Sequence, residues 1–437
     1  MSKANFVPTP EQEKIINHPG SAFVEACPGA GKTRVMVERA RKLLGDKKMR
    51  RGVAFLSFTN AAVGELAARL RSEGLLTSMP YPHFVDTFDS FLWKLLLAPF
   101  GAPGCATAPR LMPDKDKLEI RSFATAQPLP LACFDRTTGN IIADEAKRSG
   151  FDVATRGGLV NGYETVARST RKRLLEQGFL DHDDVRSIAL ERIQDPELAP
   201  RLAMALAARF HEVIVDEAQD CNPADLDVVR WLKKAGITTK VICDPHQSIY
   251  GFRGGVADHL FAFKGEFGSS EQLPLSGNFR STGSICKAIV ALRDKDHRAH
   301  VDEPLGKHKD DATPVHVLVY VGAATQAIGD KFKELLIASG IGPSASPVLA
   351  ATRSSGGCAV GIPAAPTGED LTLRLASAVM DFHFAGESGG RIHAMEELHR
   401  IVLKMEGRLD GVTYKKRLLD DDIKPDDWRP QIVAVLS

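Results

Sequence analysis

The sequence predicts an α/β fold: a parallel sheet with helices on its faces, a helical insertion within it, and a second, partial block of the same kind. Three observations predict it. Short β-branched runs alternate with amphipathic stretches over residues 20–98 and again from Val213 to Cys243, the order that a helix-covered parallel sheet needs. One run, Ala22-Phe23-Val24-Glu25-Ala26, leads through Cys27-Pro28-Gly29-Ala30-Gly31-Lys32-Thr33 into a helical pattern from Arg34 to Leu44. Another, Val213-Ile214-Val215, ends in Asp216-Glu217-Ala218-Gln219-Asp220.

The string Ala26 to Thr33 reads as a phosphate-binding loop, although the generic pattern opens with Gly where this chain has Ala26. Gly29 and Gly31 allow a tight turn, so that successive amide N–H groups face phosphate oxygens. Lys32 is placed to reach the terminal phosphates and the Thr33 hydroxyl to ligate a metal. The ligand class is therefore a nucleoside triphosphate with magnesium. An ordinary Gly-rich turn is the plainer alternative, and the strand-loop-helix context argues against it. The second run places Asp216 at the carboxyl end of a strand, where open α/β sheets bind ligands. Asp216 is suited to hold magnesium through water, and Glu217 to orient or deprotonate a hydrolytic water. A solvated acidic turn ahead of the helix near Pro223 is the alternative there.

In order along the chain, the pattern predicts strands at Ala22–Ala26, Val53–Phe58 and His83–Val85. Helices follow from Asn60 to Arg71 and from Thr87. From Phe100 to about Pro200 the strand-like runs give way to basic helical segments such as Thr165 to Gln177, which carries Arg168, Arg171, Lys172 and Arg173. The sheet resumes at Val213–Val215 and Lys240–Cys243. A third block predicts a strand at Val315–Val321, a helix at Gln326–Ser339 and a strand at Val348–Ala351. A Gly-, Ala-, Ser- and Pro-rich linker follows over 340–368, then a tail with two helices and a charged stretch near Lys415–Asp427.

At 437 residues the chain exceeds one ordinary core. Charged residues at 25% and hydrophobic ones at 43% are the profile of a soluble globular protein. A net charge of +1 excludes a global basic field, so a nucleic-acid partner needs a local groove. The seven cysteines are scattered without metal-ligand spacing, as in a reduced, cytoplasmic protein. The first ten residues do not read as a signal peptide, and no run of about eighteen apolar residues exists to enter a membrane.

Further strings give this organisation a family. ACPGAGKT and DEAQD together resemble the superfamily 1 helicases of the UvrD/Rep/PcrA type. Thr9-Pro10-Glu11-Gln12 resembles that family's adenine-reading Q motif, and Phe58-Thr59-Asn60-Ala61-Ala62 its FTNKAA element. Leu180-Asp181-His182-Asp183-Asp184 resembles DFDDL, and Cys243 to Gly254 resembles GDxxQSIYxFRG. Asn278-Phe279-Arg280-Ser281 resembles NYRS. The matches fall in the family's order.

The resemblance implies an ATP-dependent DNA translocase or helicase: an ATP hydrolase stimulated by single-stranded DNA, acting 3′ to 5′. Its partner is single-stranded DNA or DNA with a single-stranded tail. Gln12 would read the adenine edge, with Arg34 and Phe279 on the faces of the base. Lys32, Gln247 and Arg280 would serve the γ-phosphate, with Glu217 as base and Thr33 and Asp216 on magnesium. Phe58, Thr59, Asn60, Tyr250, Phe252 and Arg253 would meet the DNA. For Phe58 a plain core role stays open, and for Arg280 a surface ion pair. The run Arg171–Arg173 is first read as a solvated helix face. The implied architecture is a first RecA-like lobe over 1–98 and 200–280 and a helical insertion at 99–199. A partial second RecA-like lobe would span 281–360, with a mostly helical remnant of its insertion at 361–437.

The chain departs from the family pattern in several places. Ala61 replaces the Lys of FTNKAA, Thr87-Phe88-Asp89-Ser90 replaces TFHS, and Cys243 replaces the Gly of the third element. The family's late THxxKGLE-like and VAxTRA-like elements find no match. Three readings follow: a shortened product, a partner chain that supplies the missing elements, or a nucleotide- and single-strand-binding subunit that works without unwinding.

Overall fold

The computed structural model describes residues 6–45, 50–75, 81–105, 107–247, 256–293, 302–319, 326–342, 346–350, 356, 359, 371–384 and 388–436. The expected DNA contacts Tyr250, Phe252 and Arg253 lie outside them. The chain divides into one unit of residues 1–111 with 172–315, and a second of residues 112–171 with 316–437.

The first unit is built on a six-stranded sheet. Its strands are β1 (Ala22–Ala26), β2 (Gly52–Ser57), β3 (Phe84–Thr87), β4 (Phe210–Val215), β5 (Thr238–Cys243) and β6 (Gln272–Leu275). They lie in the order β6-β1-β5-β4-β2-β3, and every pairing is parallel. Because successive side chains alternate faces, each strand feeds two cores. Val213 and Val215 enter one with Phe23, Leu56 and Val241. Ile214 enters the other with Val24, Phe55 and Ile242.

The covering helices carry their start signals in sequence. Thr9 caps α1 (Pro10–Asn17) through a capping box with Gln12, and Pro10 pre-sets the first turn. The phosphate-loop residues run into α2 (Lys32–Gly45). Thr59 caps α3 (Asn60–Ser72), accepting from the Ala62 N–H. Two further helices, α4 (His182–Gln194) and α5 (Leu198–Arg209), bury Ile188, Ala189, Leu202 and Leu206 in the sheet's own core. The first of them was expected in the insertion at 99–199 and belongs instead to the first unit; the second falls almost wholly within 200–280, as expected of the first lobe. Asn222 caps α6 (Pro223–Lys234) with a second capping box.

Strand β6 is an edge strand with Pro274 inside it. A proline has no N–H to give a neighbour, so a strand edge is where it is tolerated.

A buried ionic cluster pins α1 to the amino-terminal end of the sheet. Arg39 on α2 donates to both carboxylate oxygens of Glu212 on β4, at 3.0 and 2.5 Å, and to the Ile16 carbonyl at 2.8 Å. Glu212 is fully buried and Arg39 nearly so. Lys240 on β5 donates to the His18 and Gly20 carbonyls at 3.1 and 2.8 Å. Burial pushes its ammonium down to about 8, against the pull of Glu212.

The second unit departs from the expected helical block. Residues 112–142 hold single 3-10 turns and one two-residue antiparallel pair, Glu119–Ile120 with Leu129–Pro130. Helices Ala143–Arg148 and Gly157–Glu176 follow. Arg171 is turned inward rather than solvated. It donates to the Leu131 and Phe134 carbonyls at 2.9 and 3.0 Å and pairs with Asp116 at 3.3 Å. Over 316–437 the described residues form helices at Gln326–Ala338, Leu371–Phe384, Ser388–Met405, Tyr414–Asp420 and Pro425–Leu436. The described residues of the tail thus form four helices where two were expected, and the charged stretch is largely helical.

The strands expected at Val315–Val321 and Val348–Ala351 are not formed among the described residues of those runs. Val317, Val319 and Leu349 are 81%, 88% and 93% exposed, so β propensity has no partner strand there to act on. No described helix is long and apolar enough to cross a membrane, and the six described cysteines are free thiols.

Removing one partner of a buried pair strands the other charge, whereas replacing both leaves none behind. Arg39→Met is expected to cost about 3 kcal/mol, read as a lower urea midpoint. Adding Glu212→Leu should restore most of that loss.

Candidate active site

The carboxyl ends of β1, β4 and β2 bring sequence-predicted groups around one cavity of about 320 Å³. Gly29, Ala30, Gly31, Lys32, Thr33, Arg34, Asp216, Glu217, Phe279 and Arg280 all line it. Gly29 and Gly31 turn the loop with φ of +73° and +80°, values that disfavour side chains. At Gly29 a Cβ would also stand 2.6 Å from Asn278 Oδ1 and 2.7 Å from Arg280 Cβ. The Phe279 N–H donates to the Gly29 carbonyl at 2.9 Å. The Asn278 side chain in turn accepts from the Arg280 and Ser281 N–H groups, so the Arg280 segment sits directly on the phosphate loop.

Lys32 Nζ donates to Glu217 Oε2 at 2.8 Å. Burial works to lower the Lys32 pKa, but Glu217 and then Asp216 outweigh it, and the net shift is upward. Lys32 is therefore a fixed cation. Glu217 stands at φ 54°, ψ 43°, a left-handed conformation unusual for a residue with a side chain. Its carboxylate also accepts from Gln219 Nε2 at 2.6 Å, and Gln219 Oε1 accepts from the Asp244 N–H at 3.0 Å. Gln219 thus ties Glu217 to the end of β5. The strings DEAQD and CDPHQ were visible in sequence, but a link between them needs the parallel neighbours β4 and β5.

Asp216 is seven percent exposed, and its Oδ1 is buried without a hydrogen-bond partner. Burial first, and then the Glu217 charge, push its carboxyl up to about 6. An orphaned carboxylate oxygen in a residue that lines the same cavity as Thr33 is a donor set that fits magnesium. That ion takes one or two protein oxygens and completes its shell with phosphate and water. No cluster of three His, Cys, Asp or Glu side chains able to hold a metal exists among the described residues. Asp244 is likewise buried with a free Oδ2, and burial raises it to about 6.

Some expected groups sit elsewhere. Gln12 is buried and does not line the cavity. Its Oε1 accepts from the Thr9 N–H and its Nε2 donates to the Ala30 carbonyl, so it braces the loop from behind. Gln247 is exposed on the turn after β5, also away from the cavity lining. Ala26 ends β1. The Cys27 thiol donates to the Ser276 carbonyl at 3.2 Å, and burial, then Asp302 and Asp244, raise it to about 12. Pro28 follows Cys27 without joining the lining.

Phe58 is half-buried and stacks on the fully buried Phe88, with centroids 5.4 Å apart and planes 13° apart. Thr59 spends its hydroxyl on the α3 cap, and Asn60 is exposed beside it. The acid at position 89 finds its own partners. Asp89 accepts from Arg186 at 2.5 Å and faces His182 at 3.3 Å, and Arg186 also donates to Asp225 at 2.9 Å. The family's TFHS histidine is an acid here, and that acid faces His182 of the DFDDL-like element.

The raised carboxyls predict a pH dependence. Between about pH 4 and pH 6 the folded chain holds protons on Asp216 and Asp244 that the unfolded chain has released. These groups therefore favour folding at the acid end of that window, and the advantage is lost as pH rises through 6. Asp216→Asn is permanently neutral. Calorimetry should find it a few degrees more stable at pH 7.5, with a flatter melting profile between pH 4 and 6.

Comparison with known proteins agrees with this geometry. The family model for the UvrD/REP helicase N-terminal domain matches residues 8–268. The ATP-dependent DNA helicase PcrA of Bacillus subtilis is 25% identical over 285 residues, covering 64% of this chain and 38% of that protein. The ATP-dependent DNA helicase UvrD1 of Mycobacterium bovis is 28% identical over 305 residues, covering 65% and 38%. PcrA of Staphylococcus aureus is 24% identical over 313 residues, covering 65% and 39%. The chain thus spans about two fifths of the length of the curated relatives it matches. With the phosphate loop, the acidic strand end and the family model in agreement, the chain belongs to the UvrD/REP helicase family through its N-terminal domain.

Proposed function

We propose that this chain hydrolyses ATP and couples the reaction to movement along DNA, as a translocase or helicase stimulated by single strands. One observation carries the reading: Lys32, Thr33, Asp216, Glu217 and Arg280 line a single cavity. The 3′ to 5′ direction, the single-stranded tail and a cytoplasmic setting rest on the family resemblance and the free cysteines. In this reading the first unit is the RecA-like ATP-binding lobe.

The amides of Gly29 to Thr33 cradle the phosphates. Magnesium, held by Thr33 and Asp216, would neutralise charge between the phosphate oxygens. Lys32 exchanges part of its contact with Glu217 for the terminal phosphate, which frees the Glu217 carboxylate to orient and deprotonate the attacking water. Arg280 meets the charge that develops on the γ-phosphoryl group. Arg34 and Phe279 pack on the base. The family resemblance gives Gln12 the adenine edge, which it would read with the one amide hydrogen and one lone pair left over from its contacts with Thr9 and Ala30. The outer face of Phe58, held rigid by Phe88, offers a stacking platform for unpaired bases beside Thr59 and Asn60. Gln219 and Gln247 connect this chemistry to the segment after β5.

Steady-state ATP hydrolysis, with and without a single-stranded oligonucleotide, tests the proposal on the full chain and on Glu217→Gln. The chain should turn over faster with DNA. The variant should lose about a hundredfold or more in rate while keeping its nucleotide affinity. An unaltered chain that shows no turnover under either condition overturns the enzyme reading. Nucleotide binding without turnover would instead make it the binding subunit.

A further inference from the structure

We propose that Phe6 and Glu73 are positioning residues that hold the Arg34 guanidinium flat against the base of the bound nucleotide. The inference rests on the ATP site above and deepens it. A guanidinium can serve as a stacking platform only when its plane is fixed, and a free arginine side chain samples many rotamers. Arg34 is restrained on several sides. Its Nη2 pairs with Glu38 one turn along α2 at 2.7 Å, and its Nη1 pairs with Glu73 at 3.3 Å.

Glu73 is the C-cap residue of α3, so this contact fixes Arg34 against a second helix. Arg41 bonds to the same two carboxylates, to Glu38 through Nε at 3.1 Å and to Glu73 through Nη2. Two arginines and two acids thus form one braced row. The third restraint is aromatic. The Arg34 guanidinium carbon lies 4.7 Å from the centroid of the Phe6 ring. Phe6 is half-buried, three residues ahead of the Thr9 cap that sets where the chain enters α1.

Phe6 covers one face of the cation. The base stacks on the opposite face, towards the cavity that Arg34 and Phe279 both line, where Phe279 is 36% exposed. The resulting order is Phe6, Arg34, base, Phe279. Cation–π attraction on one side and stacking on the other both favour the same guanidinium plane. Binding of the base therefore depends on Phe6, and binding of the phosphates does not.

Titration calorimetry with magnesium and either ATP or inorganic tripolyphosphate tests this on the unaltered chain, Phe6→Ala, Phe6→Trp and Glu73→Gln. Phe6→Ala should weaken ATP about fivefold and leave tripolyphosphate unchanged. Phe6→Trp should restore ATP affinity, and Glu73→Gln should weaken ATP in the same selective way. In turnover assays Phe6→Ala should raise KM for ATP by the same factor at unchanged kcat.

Equal ATP affinity in Phe6→Ala overturns the inference. So does tighter ATP binding, which would put the ring in the place of the base, or a matching loss for tripolyphosphate, which would mean general loosening. An unaltered chain that binds tripolyphosphate but not ATP overturns it too. Failure to bind either ligand removes the nucleotide site itself, and the inference with it.

Discussion

The site depends on one ion pair, between Lys32 at the start of α2 and Glu217 just beyond β4. Strands β1 and β4 are not neighbours, because β5 runs between them. The pair therefore reaches across the carboxyl end of β5, the place where Gln219 joins Glu217 to the Asp244 backbone. Three strand ends become one electrostatic unit. The same contacts sustain the left-handed backbone of Glu217, a conformation that costs on the order of 1–3 kcal/mol and survives only where the surroundings over-determine it.

The two ends of the sheet divide stability from chemistry. At the amino-terminal end the buried charges are satisfied: Arg39 by Glu212, and Lys240 by two carbonyls. At the carboxyl end Asp216 and Asp244 each keep a buried oxygen without a partner. Unsatisfied buried carboxylates destabilise a fold, and chains retain them where a ligand completes them. The contrast locates the working face of the sheet without reference to any motif.

Much of the first unit was legible in sequence, for identifiable reasons. Strands buried on both faces need apolar runs, and Val53–Leu56, Val213–Val215 and Val241–Cys243 supply them. The helices from Asn60 and near Pro223 were read from their patterns, and Thr59 and Asn222 cap them within three residues; α1, capped by Thr9, went unread as a helix. Edge strand β6 went unread because Pro274 breaks its pattern, and only a pairing partner shows that the break is harmless. The runs at Val315 and Val348 failed in the opposite sense, with strand-like composition and no strand paired with them among the described residues. Within the site, residue types and order placed Lys32, Asp216, Glu217 and Arg280 at one cavity. Sequence did not show that Gln12 braces the loop or that Arg171 points inward, because both depend on carbonyls brought close by the fold.

The absence of room for a Cβ at Gly29 has a consequence for ligand binding. The phosphate loop and the stretch from Asn278 to Ser281 are in van der Waals contact and share the Phe279-to-Gly29 hydrogen bond. The backbone that carries Arg280 is therefore immobilised when the chain folds rather than when a nucleotide arrives. Its entropic cost is met in advance, which leaves only the arginine side chain to be ordered on binding.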